Sequence, residues 1–595
     1  GFAIDKAVEA IREKGGIGFF LGGIGPDGHV AFNVKGSSFY STTRLTKINY
    51  ETEAAAASDL GGIETVQKKA VITMGLETIT FNPDNVAIIM AAGQTKSKVV
   101  ANAVESSPKQ EYPASCLQKL PNAVFYITRS ADRELSKSEE TLIKQIKSKE
   151  LPSNYTDQLI INGALNHHFS LSEISRSYKE DLPHDERWQI AENLSQSSID
   201  ELADQLYTSI SKKIHKGINI PEKQKFLHTA PHHDDIELAY FPLLHHLVRS
   251  PQNENYFVYC TSGFTSVTNH YLGQRLRELR RFIKTGRIEQ IPRQQSLFEI
   301  QHAQDDITGY LNGIASQNTE EQAFYISNRM ARDISNYKET KDIDEILAFV
   351  EKQLDIIANI TPGRKEPDTI HLLKGWLREF EAELVWAHFG IDMDYVSHLR
   401  LHFYSDRIFP EYPDYELDVM PLYEKMQEIK PGIITLALDP EGSGPDTHFK
   451  TLIALSQAIQ KYVETNPDQD LRIWGYRNVW SRFDLTEADM IFPASLNSFA
   501  VLHSMFNSCF LSQRSASFPS YELEGTFSEL AQKIWVEQYE ELTRLMGREY
   551  FYGSDNPLLR RSFGAIYMKD MSYDEFIKHI EMIQRLLEVK KNLQG

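Results

Sequence analysis

The sequence of 595 residues predicts an α/β protein: two parallel-sheet units of Rossmann-like type, joined by a helical connector, with a helical insertion in the second. Three observations carry that expectation. The chain is too long for one core at roughly 100–200 residues per domain. Short apolar runs alternate with helical patterns twice along it, as βαβ units require. The stretch between these two regions is polar with helical periodicity.

In the first unit, residues 1–134, the runs Ile17–Leu21, Val86–Met90 and Ala123–Ile127 each end near turn residues and read as parallel strands. Residues 135–222 form the connector. Ser170 with Glu173, and Asp185 ahead of Glu186, are helix-start signals, and Pro221 closes the stretch. The second unit, 223–595, opens with Phe226–Ala230 and continues through Tyr256–Cys260, Ile433–Leu438 and Arg472–Trp474. Within it, 288–366 is an insertion whose residues Ile343, Ile346, Leu347, Val350, Leu354 and Ile357 share one helical face.

Composition narrows the function. Hydrophobic residues at 41% suffice for several cores, and 63 basic against 82 acidic residues give a formal charge of -19, which repels nucleic acid and anionic membranes. The three cysteines, Cys116, Cys260 and Cys509, form neither a metal-binding pair nor a disulfide framework, which fits a reducing, cytoplasmic compartment. No apolar run reaches the roughly 18 residues of a membrane span. The chain starts at Gly1 rather than Met, so a targeting signal upstream remains compatible with it.

The sharpest chemical signal is Pro231-His-His-Asp-Asp-Ile-Glu237, directly after a strand, where sheet C-terminal ends build sites. His232 and Asp235 offer the imidazole nitrogen and carboxylate oxygen that suit Zn²⁺, and a hydrolytic zinc needs three protein ligands. His448, ending the glycine-rich loop that opens at Asp439 after another strand, is the candidate third ligand. Asp234 is placed to accept a water proton. The bland alternative is two solvated acidic turns, against which stands the placing of both loops directly after strands.

The string PHHDDIE resembles the PHPDDxE signature of the PIG-L/LmbE-like deacetylases. Leu377–Ala382 is similar to that family's R-x-x-E-A helix, and Ser512-Gln513 to its late SQ motif, so the resemblance runs from about 223 to 590. It implies zinc as cofactor on His232, Asp235 and His448, Asp234 as general base, Arg378 as a substrate-binding residue, and removal of acetyl groups from N-acetylglucosaminyl substrates. Two positions depart from the family. His233 replaces the signature proline, and Gly444 stands where a histidine near the oxyanion is usual, with His402 as a conceivable substitute. Loss of one oxyanion donor typically costs about 100-fold to 1000-fold in rate. His228 and His233 read as packed or supporting residues.

In the first unit, the string Gly22–Asn33 (GGIGPDGHVAFN) resembles the motif of glucosamine-6-phosphate deaminases, and Ser38–Arg44, Gly93–Lys96 and Pro113–Gln118 continue the similarity in order. The resemblance implies proton transfer by Asp27 and His29 during sugar ring opening, and phosphate binding by Lys96. Val34 replaces the glutamate of the relay and Ser58 an expected phosphate arginine. No counterpart of that family's first half precedes residue 14, so either upstream residues have been removed or the half-sheet, with an exposed edge and apolar face, packs on something else.

Together the readings give an amino-sugar enzyme acting on a small molecule, phosphorylated or not, with homo-oligomer formation left open. The competing readings are a glucosamine-6-phosphate deaminase with a scaffolding C-terminal unit, and a non-catalytic sugar-phosphate-binding module.

Overall fold

The computed structural model describes residues 2–25, 27–47, 70–92, 96–128, 131–132, 134–135, 154–177, 181–288, 303–360, 366–405, 412–439, 446–479, 481–514 and 526–594. Ser58, Gly93, Gln94, Thr95 and Gly444 lie outside these residues.

In the first region, β1 (Phe19–Gly23), β4 (Val86–Ala91) and β5 (Ala123–Ile127) form a parallel sheet in the order β1-β4-β5. The short strands β2 (Arg44–Thr46) and β3 (Val71–Thr73) pair antiparallel beside it. Side chains alternate across the pleat. On one face Ala87 and Ile89 join a core with Ile24, Val30, Leu76, Val99 and Leu117. The other face leaves Phe19 59%, Leu21 57%, Met90 58% and Tyr126 61% exposed. The apolar face expected from the sequence is therefore present.

The second sheet has seven strands in the order β11-β12-β10-β9-β6-β7-β8. Their ranges are β6 Lys225–Ala230, β7 Glu254–Tyr259, β8 Val396–His398, β9 Ile433–Ala437, β10 Arg472–Tyr476, β11 Met490–Ser495 and β12 Ser562–Ser572. Strands β8, β7, β6, β9 and β10 pair parallel, and all five residues of β9 are buried, as a sheet covered on both faces demands. A wholly parallel sheet is the expectation that fails. β12 runs antiparallel to both β10 and β11. Its residues 562–568 are almost continuously buried, so no alternation announces its direction.

The connector is helical as read, through Tyr155–His167, Leu171–Arg176, Glu186–Ser195 and Ile199–Ile218. Ser170 and Glu173 form a capping box, and Asp185 caps the third helix. The connector packs as a layer of the second sheet: Leu159, Ile160, Leu206 and Ile210 share one core with Leu227, Val258, Ile434 and Ile473. On the opposite face, Phe226, Phe257 and Trp474 pack with helices of the insertion, Ala303–Ala315, Thr319–Lys338 and Ile343–Asn359, and with the Asp368–His388 helix. Among the described residues no helix is long and apolar enough to cross a membrane.

Candidate functional sites

Three neighbouring parallel strands, β6, β9 and β10, deliver their C-terminal ends to one place. β6 leads into His232, Asp234 and Asp235, β9 into Asp439, and β10 into Asn478. His232 Nδ1 lies 3.2 Å from His448 Nε2. Asp235 Oδ2 lies 3.6 Å from His232 Nδ1 and 3.4 Å from His448 Nε2. His232, Asp235 and His448 are the group of potential ligands found among the described residues.

These separations form the face of a tetrahedron. With metal–ligand distances of about 2.0–2.2 Å, tetrahedral zinc sets its ligand atoms roughly 3.3–3.6 Å apart. The donor chemistry fits as well. His448 Nδ1 is 2.7 Å from Asp439 Oδ2, so the Nδ1–H donates to that carboxylate and Nε2 keeps its lone pair for the shared point. The Asp439 carboxylate accepts a second bond from the Asn478 backbone N–H at 3.0 Å, while the Asn478 side-chain amide donates to Asp235 Oδ1. The His232 backbone N–H donates to Asp235 Oδ2 at 2.7 Å, locking the turn.

Electrostatics follow from this packing. Burial favours neutral His448, but Asp235 and Asp439 outweigh it and raise its pKa to about 9. Burial alone would push Asp235 up, yet His448 and His232 hold its carboxyl below the ordinary range. Without a cation at their centre, the carboxylates favour a proton on imidazole.

Asp234 sits beside this triangle. Arg378 Nη2 is 3.3 Å from Asp234 Oδ2, and Arg378 Nη1 is 3.4 Å from Glu381 Oε2. Glu381 in turn accepts the Ser512 backbone N–H at 2.6 Å and the Ser512 hydroxyl at 2.7 Å. Three segments far apart in sequence therefore meet. Arg378 was read as substrate-binding, but at 1% exposure, between two carboxylates, it occupies a holding position behind Asp234. The ring of His233 is buried and stacks on Tyr259 at 4.9 Å, and His228 is buried and bonded to Tyr240 and Asn255, so both have supporting places. His402 is exposed. Asp439 and Asn478 are site residues that sequence reasoning missed. Asp439 opens the loop that carries His448, whereas Asn478 follows β10 without any motif.

The first region holds a second cluster. His29 Nδ1 lies 2.5 Å from Asp27 Oδ1, and Asp27 Oδ2 accepts the Lys35 backbone N–H at 3.0 Å. Gly25 is required here, since a Cβ would fall 1.9 Å from the His29 ring. Asn33 accepts from Arg44 at 2.8 Å, and Gly28 C=O accepts from the Ala114 N–H at 3.0 Å, so three of the four quoted segments are tied together. Lys96 stands at the N-terminal boundary of the Ser97–Val104 helix, whose first N–H groups favour anions. Burial lowers its pKa to about 8, against the opposing charge of Asp27.

A putative glucosamine-6-phosphate deaminase-like protein of Bacteroides thetaiotaomicron is 25% identical over 512 residues, covering 82% of this chain and 66% of that protein. The glucosamine-6-phosphate deaminase of Caenorhabditis elegans is 33% identical over 161 residues, 27% of this chain and 53% of its own length. Glucosamine-6-phosphate deaminase 2 of Mus musculus is 34% identical over 131 residues, 22% of this chain and 47% of its own. Part of this chain is homologous to glucosamine-6-phosphate deaminases. It spans about half the length of those deaminases, 53% and 47% in the two cases. A solved monomeric glucosamine-6-phosphate deaminase of the NagB superfamily is 28% identical over 22% of this chain and 53% of that one, with a TM-score of 0.21. No family model matches the chain.

Proposed function

We propose that this chain acts in amino-sugar metabolism, and that its C-terminal region hydrolyses the acetamido group of an N-acetylglucosamine-type substrate with zinc on His232, Asp235 and His448. The observation that carries the reading is the triangle of ligand atoms with edges of 3.2, 3.4 and 3.6 Å. Its size and its two-nitrogen, one-oxygen composition support a zinc site with one position open. When bound, zinc supplies a Lewis acid and lowers the pKa of water from about 15.7 towards 7.

The chain's own residues do the rest. Asp234, held from behind by Arg378, accepts the proton of the attacking water and delivers it to the departing amine. Asp439 fixes the tautomer of His448, and Asn478 fixes Asp235. Sugar conjugates and phosphorylated sugars are both open as substrates. If the substrate is N-acetylglucosamine 6-phosphate, the product is glucosamine 6-phosphate, the compound that deaminases of the homologous type are named for.

A second reading is favoured by the close Asp27–His29 pair beside Lys96. It assigns deamination of glucosamine 6-phosphate to the N-terminal region, although Val34 replaces the relay glutamate implied by the resemblance.

Acetate release from N-acetylglucosamine and its 6-phosphate decides the main reading. Zinc-loaded protein, a chelated control and Asp234→Asn are compared. Metal-dependent acetate that falls about 100-fold or more in the variant supports it. Ammonia from glucosamine 6-phosphate, unaffected by chelation and with no acetate, favours the second reading. Failure of the protein to bind zinc sinks the ligand set.

A further inference from the structure

The helical insertion carries no candidate ligand or base, yet it reaches the hydrolytic site through buried polar side chains. Arg329, on the Thr319–Lys338 helix, is 8% exposed. Its guanidinium grips Glu383 with both terminal nitrogens, Nη2 to Oε1 at 3.0 Å, while Nε donates to both oxygens of Asp333 at 3.2 Å. Glu383 lies on the Asp368–His388 helix, which also carries Arg378 and Glu381. Burial would push the Glu383 carboxyl up, but Arg329 and His398 hold it near 2, so the pair is charged.

That helix is held on two faces. Arg378 and Glu381, three residues apart, face Asp234 and Ser512. Glu379 and Glu383, four apart, lie on a neighbouring stripe. Arg400 binds Glu379 there at 2.6 and 2.7 Å, and Arg329 binds Glu383. A second tie comes from Tyr310, on the Ala303–Ala315 helix of the insertion. Its hydroxyl donates to the Ser508 C=O at 2.9 Å, just before the segment in which Ser512 meets Glu381.

We propose that the insertion braces the hydrolytic site, with Arg329 and Tyr310 as positioning residues that set Arg378 and Ser512 against Asp234. The inference rests on the deacetylase reading for its effect on rate, and on contacts alone for its effect on structure. A buried arginine whose three donor positions are all taken by carboxylates resists displacement of the helix, because loss of that geometry leaves unpaired buried charge. Displacement of a positioned base by about 1 Å costs on the order of 100-fold in rate.

The test uses the full chain as wild type, Arg329→Met, Arg329→Lys and Tyr310→Phe. Zinc content, kcat and KM for acetate release, and backbone hydrogen exchange are measured on each. The expected result for Arg329→Met is a fall in kcat of about 10- to 100-fold, with KM and zinc content within about twofold. Exchange should quicken at residues 376–384 and also at 511–514, which Arg329 does not touch. Arg329→Lys should recover part of the rate, and Tyr310→Phe should quicken 511–514 alone. If Arg329→Met does not fold, Tyr310→Phe carries the test. A lower melting temperature with kcat unchanged, or quickened exchange confined to 319–338, overturns the brace. Should the wild type release no acetate, the deacetylase reading fails by itself, and exchange at 511–514 still decides the brace.

Discussion

Asp439 shows how much of the proposed metal site would rest on a residue that is not a ligand. Its carboxylate accepts from His448 Nδ1 at 2.7 Å and from the Asn478 N–H at 3.0 Å, fixing one imidazole and, through Asn478, the carboxylate of Asp235. Asp439→Asn keeps the shape but presents an amide that can donate to Nδ1, which moves the ring proton towards Nε2 and blocks the lone pair. The expected outcome is a loss of zinc affinity of about 10- to 100-fold, read by competition with a chromogenic chelator. Unchanged affinity would mean that His448 is not a ligand through Nε2. The meeting of His232, Asp235 and His448 was legible in the sequence, because a strand followed by an acidic, histidine-bearing turn limits where those side chains go; their roles belong to the proposal. Asn478 was not, since its role depends on β9 and β10 lying side by side.

At the scale of elements, the central strands were legible from continuous apolar runs: β4, β5, β6, β7, β9 and β10 lie within a few residues of where the sequence puts them. Order and direction were not, because pairing is decided between segments far apart, as in the return of β12 between β10 and β11. The polar stretch read as a helical connector also buries one stripe of its helices on the second sheet. Gly217, in the Ile199–Ile218 helix, shows how close that contact is, since an added Cβ would lie 1.9 Å from the Ile491 carbonyl oxygen. Alanine favours an isolated helix by about 1 kcal/mol over glycine. In this position the clash with backbone that cannot swing aside should dominate. Gly217→Ala is expected to destabilise the protein by about 1–3 kcal/mol, seen as a lower urea midpoint. A midpoint that rises would show the helix standing away from β11.

Among the described residues, one sheet is covered on both faces and the other on a single face. Phe19, Leu21, Met90 and Tyr126 each expose more than half of their surface, on three adjacent strands of a parallel sheet. Parallel sheets normally bury both faces, and contiguous apolar patches of this kind favour association. The net charge of -19 opposes association through long-range repulsion, which salt screens within about 8 Å at physiological ionic strength. Binding of an environment-sensitive apolar dye should therefore be strong for this chain in its folded state. The double variant Leu21→Thr with Met90→Thr places β-branched, strand-favouring residues at both positions while removing apolar surface, so it should bind less dye at an unchanged zinc affinity. Higher salt should promote self-association of the wild type more than of the variant, as light scattering would report. Equal dye binding by both proteins would mean that this face is not the surface the dye reports.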